Sequence, residues 1–171
     1  LRRNGLTRIV LCVGYLGEQI EQVLGDGSGC GVQVSYSFDG AKLLGTAGAL
    51  KKALPLLTDS FFILYGDSYL NIDYQAVYRA FRAAEQPGLM TVFRNADQWD
   101  RSNVIYADGR IVRYDKRNRV PEMQHIDYGL GILNRDVLAP VSDEQPTDLA
   151  DIYHDLAAQG KLSGYEVLTR F

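Results

Sequence analysis

The chain has little of what marks several common classes of protein. Its 171 residues include two cysteines, two histidines and one tryptophan. Cys12 and Cys30 form neither a CxxC pair nor a disulfide framework, which excludes a thiol-redox motif and a stapled secreted scaffold. His125 and His154 stand far apart and match no zinc spacing. No apolar stretch approaches the ~20 residues of a membrane span, and no signal peptide is visible, so a cytoplasmic protein is expected. There is no surplus of positive charge either: 18 Lys and Arg stand against 21 Asp and Glu, a formal net charge of -3. No segment concentrates Lys and Arg over several turns. Nucleic acid and an anionic membrane surface are therefore not expected as partners, although a local basic pocket for a small phosphate ligand is compatible with this balance. A phosphate loop is missing as well. No G-x-x-x-x-G-K-[ST] occurs. GDGSGCG (25–31) has Cys30 where G-x-G-x-x-G needs glycine, and it follows a helical pattern rather than a strand. It reads as a flexible turn.

What is present is the composition of a globular protein, 46% apolar and 23% charged, in a length that fits one domain with a buried core. RIVLCVG (8–14) is a short β-rich run, expected as a buried strand with Cys12 as a buried thiol. Leu16, Ile20, Val23 and Leu24 then fall on one face of a helix. VQVSYSF (32–38) alternates like a strand, KLLGTAGALKKAL (42–54) passes through small residues into a helix, and FFILYG (61–66) is a second apolar strand. Tyr74, Val77, Tyr78 and Phe81 make the next helical face. After Gln86-Pro87-Gly88 four strand-like runs follow: LMTVFRN, SNVIYADG, RIVRYDKR and HIDYGLGIL. Asp108-Gly109 between two of them signals a hairpin. Leu149, Ile152, Tyr153 and Leu156 mark a late helix with Thr147 or Asp148 as its N-cap, and GYEVLTRF (164–171) is a closing strand. Strands alternating with helices up to about residue 85 predict βαβ units with a parallel sheet. The later β-rich half predicts a mixed extension of that sheet rather than a second domain.

Three places could carry chemistry. In open α/β sheets ligands bind at the carboxyl ends of strands, and FFILYG places Asp67 at such an end. Magnesium can be held by one or two carboxylates when substrate phosphates supply further oxygens; the bland alternative is that Asp67 caps a turn. Gly45, Thr46, Ala47, Gly48 and Ala49 have little side-chain bulk. Such a loop lets a flat base or a ribose lie against the backbone, with unpaired N–H groups at the following helix start; small residues also simply permit tight packing. Finally, VRYDKR (112–117) and HIDYGLG (125–131) bring Asp115, Lys116, Asp127 and Gly129 onto two successive strands. Carboxylates accept hydrogen bonds from sugar hydroxyls and a lysine neutralises a phosphate, whereas the commoner fate of such runs is a solvated hairpin.

In this order the motifs resemble the sugar-1-phosphate nucleotidyltransferase family. LGTAGAL resembles its base-recognition loop, FFILYGDSYL its strand ending in a metal-binding Gly-Asp, and YDKR with IDYGLGIL its sugar-recognition strands. GYLGEQIEQVLGDGSGCGVQVSYS is similar to its second βα unit, so the likeness covers nearly the whole chain. It is nearest to bacterial members acting on heptose 1-phosphate or N-acetylmuramic acid 1-phosphate with GTP or UTP. The resemblance implies an α/β, Rossmann-like nucleotide-binding domain of the nucleotide-diphospho-sugar transferase type, with a mixed, mostly parallel central sheet. It implies nucleotidyl transfer from a nucleoside triphosphate to a sugar 1-phosphate, with Mg2+ as cofactor. It gives Asp67 the metal, Gly45, Thr46 and Gly48 the base and ribose, Lys116 the sugar phosphate, and Asp115, Asp127 and Gly129 the sugar, with Asn103 in the same pocket. Catalysis would be positioning plus charge neutralisation.

Two family features have no match: the opening strand with its Gly-rich, Arg-bearing triphosphate loop, and the second metal carboxylate that follows a strand like GYEVLTRF. LRRNG reads as the tail of a helix with Asn4 and Gly5 at its C-cap. The expectation is a single domain over 1–171 that lacks an N-terminal βα unit and a C-terminal segment, with little turnover by itself. Two other readings stand beside the enzyme. One is a non-catalytic nucleotide-sugar binding or regulatory module on the same fold. The other is a glycosyltransferase, which would want Asp-x-Asp where this chain has Asp67-Ser68-Tyr69.

Overall fold

The structure, a computed structural model, describes residues 1–142 and 144–170. The chain divides into two compact units, residues 1–59 with 138–149, and residues 60–137 with 150–171.

In the first unit β1 (Arg8–Val13) and β2 (Gln33–Phe38) pair in parallel, from Arg8 against Gln33 to Val13 against Phe38. The crossover between them is α1 (Gly17–Leu24) and a short 3-10 turn at Ser28–Cys30. That turn is the expected break: Gly27 and Gly31 both take left-handed φ, 81° and 69°, and Asp26 accepts the Ser28 N–H. The Arg2–Asn4 segment is one 3-10 turn, closed by Gly5 at φ 80° as its C-cap. α2 (Gly45–Ala53) packs on β1 and β2.

Two expectations fail in this unit. The helix α1 forms, but Leu16, Ile20, Val23 and Leu24 are exposed, Val23 at 82%. α1 approaches the sheet through Gly17 instead: a Cβ there would lie 2.9 Å from Val13 and 3.1 Å from Phe38, so only glycine permits the contact. Cys12 is likewise exposed rather than buried, because a sheet of two strands offers its side chains few neighbours.

The second unit contains β3 (Ser60–Leu64), α3 (Tyr74–Ala84), β4 (Gly88–Arg94), β5 (Val104–Ala107), β6 (Arg110–Tyr114), β7 (His125–Asn134), α4 (Leu149–Ala158) and β8 (Leu162–Val167). The sheet order is β3-β7-β4-β8-β6-β5, and β5 also returns to pair with β7 at Val104–His125. Five strands, β7, β4, β8, β6 and β5, thus close a ring, and β3 pairs with β7 outside it. The expected strand over 164–171 is β8; its last residue, Phe171, lies outside the described residues.

The sheet is mixed, as expected, but not mostly parallel. Among the described strands only β1–β2 and β4–β8 are parallel pairs. β7 runs antiparallel to both β3 and β4, and β6 antiparallel to both β5 and β8. Of the antiparallel pairs, β5–β6 is joined by a two-residue turn, the connection that favours antiparallel pairing. Nor does it extend the β1–β2 pair, which is a separate two-stranded sheet.

The core of the second unit follows the periodicities. β4 is buried on both faces from Gly88 to Phe93, the pattern of a central strand. Tyr74, Val77 and Phe81 are the buried residues of α3, and Phe62 of β3 lies 5.8 Å from the Tyr74 ring. Asp108 and Gly109 both have positive φ, 50° and 75°, and turn β5 into β6, as the two-residue hairpin requires.

Asp73 starts α3. Its carboxylate accepts the N–H groups of Gln75 at 2.9 Å and Ala76 at 3.2 Å. Asp73→Ala is expected to lower stability by about 1 kcal/mol, the usual worth of an N-cap. Urea denaturation checks this; a stability unchanged within error would remove the cap from the account of α3.

Candidate functional site

Asp67 projects from the turn that follows β3. The backbone closes this turn by itself, with Ser68 N–H donating to Tyr65 C=O at 3.2 Å. The Asp67 carboxylate is exposed and takes no part in that closure. Its hydrogen bond comes from the Ser68 hydroxyl, at 3.0 Å on Oδ1. The turn-capping alternative therefore loses its physical basis, since a capping Asp accepts backbone N–H groups.

Ser68 also touches the next element of the site. Gly129 of β7 sits at φ 88°, and a Cβ there would lie 3.3 Å from Ser68 Cβ. The Gly129 N–H donates to Asp127 Oδ1 at 3.1 Å, and the Asp127 N–H donates to the side-chain carbonyl of Asn103 at 3.3 Å. Asn103 in turn ties three strands: its N–H donates to His125 C=O and its C=O accepts the Asp115 N–H. A continuous series of contacts thus runs from Asp67 through Ser68, Gly129, Asp127 and Asn103 to Asp115. Lys116 follows Asp115, is exposed, and holds its ammonium 6.0 Å from the centre of the Tyr114 ring. Its positive charge is felt at Asp127.

The two carboxylates of this series differ in state. Asp115 is buried, and its Oδ1 accepts the N–H groups of Arg117 and Asn118, both at 2.8 Å. Arg113 approaches Oδ2 at 3.5 Å. The Asn118 hydrogen bond foremost, then that of Arg117, brings its pKa down to about 2. Asp115 is an ionised group that shapes its own turn, so the sugar-facing role expected for it competes with a structural one. Asp127 has the opposite character. Desolvation raises its pKa, and the Gly129 N–H and Lys116 only partly offset this.

Gly45, Thr46 and Gly48 belong to the first unit. Gly45 has φ 73°, and a Cβ there would meet the Thr147 carbonyl oxygen at 2.5 Å. The N–H groups of Ala47 and Gly48 donate to that same carbonyl, at 2.9 and 3.4 Å, and Thr147 N–H donates to Leu44 C=O. The helix start therefore does not present these N–H groups unpaired, contrary to expectation; a crossing segment of chain caps them. The Thr46 hydroxyl donates to Asp148 Oδ1 at 3.0 Å and accepts the Leu149 N–H at 2.7 Å. The Thr147 hydroxyl turns to Gln145 C=O, which leaves Asp148 at the cap position of α4. The small residues of GTAG are thus used for close packing.

Sequence reasoning missed Ser68, which links Asp67 to Gly129, and Thr91, whose side chain lies against β7 at Leu130. A serine in a turn and a threonine in a strand carry no signal of their own; only the pairing of β4 with β7 shows what Thr91 meets. His125 and Glu166 also form an unforeseen pair at 3.1 Å. Among the described residues no group of three or more His, Cys, Asp or Glu stands close enough to hold a metal ion, so any metal here would rest on few protein ligands.

Residues 1–167 match the nucleotidyl transferase family. The chain belongs to that family. A UTP–glucose-1-phosphate uridylyltransferase of Synechocystis is 29% identical over 94% of this chain and 46% of its own length. An N-acetylmuramate α-1-phosphate uridylyltransferase of Neisseria meningitidis is 44% identical over 46% of this chain and 35% of its own. The chain spans about half, or less, of the length of these curated relatives. A crystal structure of a glucose-1-phosphate thymidylyltransferase, so described provisionally, from Bacillus anthracis in complex with sucrose shares the fold at TM-score 0.79 and 18% identity. That likeness covers 98% of this chain and 70% of the other.

The opposed states of Asp115 and Asp127 make a pH prediction. A carboxyl whose folded pKa is raised above its ordinary 3.8 favours the folded state when protonated. Ionising it costs stability as pH rises from the unfolded toward the folded value, and the cost is complete above both. Asp127→Asn is therefore expected to raise Tm at pH 7 and to lose that advantage as pH falls well below the ordinary 3.8, where both forms are neutral. Thermal melts at the two pH values check this; a variant less stable than the natural chain at pH 7 would contradict it.

Proposed function

We propose that this chain is the nucleotide- and sugar-handling part of a magnesium-dependent sugar-1-phosphate nucleotidyltransferase. The observation that carries the reading is the contact series from Asp67 to Asp115, which gathers residues of two family-like motifs beside an exposed lysine. In the reaction, an oxygen of the anomeric phosphate forms a bond to the α-phosphorus of a nucleoside triphosphate. The bond between α- and β-phosphates breaks, and pyrophosphate leaves with its electrons. No covalent enzyme intermediate is needed, so the work of the protein is alignment and neutralisation of charge.

Asp67 is the residue that would hold magnesium. It is exposed and engaged only by a hydroxyl, and a hard cation that keeps several waters needs one or two carboxylates when phosphates complete its shell. When bound, the ion would neutralise phosphate charge. Lys116 would meet the phosphate of the sugar 1-phosphate. Asp127, Asn103 and Gly129 would face the sugar, with Asp115 holding the Lys116 turn in place. The family likeness gives Gly45, Thr46 and Gly48 the base and ribose, although here they pack against Thr147, Asp148 and Leu149. No described helix is long and apolar enough to cross a membrane.

A second reading is a nucleotide-sugar binding module without catalysis. It is favoured by the commitment of Gly45 and Thr46 to Thr147, Asp148 and Leu149, and by the lone carboxylate at Asp67. One set of measurements separates the two. A protein of the relatives' length, given magnesium, nucleoside triphosphates and a panel of sugar 1-phosphates, is expected to release pyrophosphate. Asp67→Asn is expected to lower kcat by about 100-fold or more, the scale of lost charge stabilisation in a transfer reaction. Thermal stabilisation by a nucleotide-sugar with no pyrophosphate release from any pair would support the binding module. Full activity in Asp67→Asn would remove the assigned metal ligand.

A further inference from the structure

β7 does not run straight past β4. Met90 pairs with Gly131 and Val92 with Asp127, so between those pairs the single residue Thr91 faces Tyr128, Gly129 and Leu130. The strand bulges outward there, and such bulges re-aim side chains beside functional sites. Gly129, at φ 88°, stands at the crest. Asp127 stands at its foot. Both belong to the candidate site.

A bulge costs ladder hydrogen bonds, and buried backbone groups that lose them need other partners. Thr91 supplies both for one residue. Its side chain is fully buried. Its hydroxyl donates to the Leu130 carbonyl at 2.7 Å and accepts the Leu130 N–H at 3.3 Å. On the other side of the crest the Tyr128 ring stacks on Phe93 at 4.9 Å. The bulge is therefore pegged at both ends, by ring stacking at Tyr128 and by one hydroxyl at Leu130.

We propose that Thr91 is a positioning residue for the sugar side of the site. Its hydroxyl holds Leu130 and so sets where Gly129 and Asp127 stand. Thr91 itself touches no substrate. The inference rests on the functional reading given above, in which Asp127 and Gly129 face the sugar. Valine has nearly the same shape as threonine but neither donates nor accepts, so Leu130 would lose both bonds. Serine keeps the hydroxyl and loses only a methyl group.

The test compares Thr91→Val and Thr91→Ser in a protein of the relatives' length, well below the melting temperature of each. Small displacements of positioning groups change rates by an order of magnitude or more. Thr91→Val is expected to raise KM for the sugar 1-phosphate about tenfold while KM for the nucleoside triphosphate stays within about twofold. Thr91→Ser is expected to restore the natural values. Amide hydrogen exchange at Gly129 and Leu130 gives a readout that needs no turnover: exchange should quicken in Thr91→Val and not in Thr91→Ser. An equal rise in both KM values, unchanged KM values, a serine variant that behaves like valine, or unchanged exchange would each overturn the inference. If the natural protein transfers no nucleotide but exchange quickens as stated, the functional reading fails and the pegging of the bulge stands.

Discussion

The hydrogen bonds that β7 makes along both edges organise the larger unit. Its second half, Leu130 to Asn134, pairs with β3, while the opposite edge pairs with β4 on either side of the bulge. Its first residue reaches β5 as well. A strand paired with β3, β4 and β5 cannot shift register without breaking those pairings. The end of β3, and with it Asp67, is therefore placed relative to Gly129 by backbone pairing rather than by side-chain contact alone. The bulge uses this rigidity: where the ladder is interrupted, the chain turns Gly129 toward Ser68 and leaves Asp127 poorly solvated.

Carboxylates of the same kind have been given different work by their surroundings. Asp73 starts a helix, Asp115 closes a turn, Asp67 stands free of the backbone, and Asp127 is partly withheld from water. The first two are ordinary structural acceptors, satisfied by two N–H groups each. The last two are costly or idle in the folded chain, and such groups are the ones whose presence asks for a ligand.

Much of the fold was legible because its signals are local. Asp108-Gly109 needs no tertiary context to favour two successive positive φ values, and the apolar face of Tyr74, Val77, Tyr78 and Phe81 is a single helical period. The site was legible in part. Asp67, Gly129, Asp127, Asn103 and Asp115 lie along one series of contacts with Lys116 next to its end; the roles their motifs imply belong to the proposal. The roles of Gly45, Thr46 and Asp115 were less readable, because the residues that occupy them are either distant in sequence, as Thr147 and Asp148 are, or are backbone N–H groups, which every residue has. The apolar face of α1 misled for a related reason. Periodicity shows that one face is apolar, not that anything covers it.

The order of elements, the apolar face of α3, the hairpin at Asp108-Gly109 and the family motifs were determined by the sequence alone, since each depends on residues within a few positions of one another. The strand partners, the antiparallel course of β7, its bulge at Thr91 and the contrast between Asp115 and Asp127 were decided only by the tertiary structure. The pairings of β7 and its bulge depend on which backbone groups meet across 20 or more positions, as Thr91 meets Leu130 at a separation of 39. Hydrogen bonding between main chains carries no residue code, and burial, which raises the pKa of Asp127, belongs to the packed molecule rather than to any segment of it.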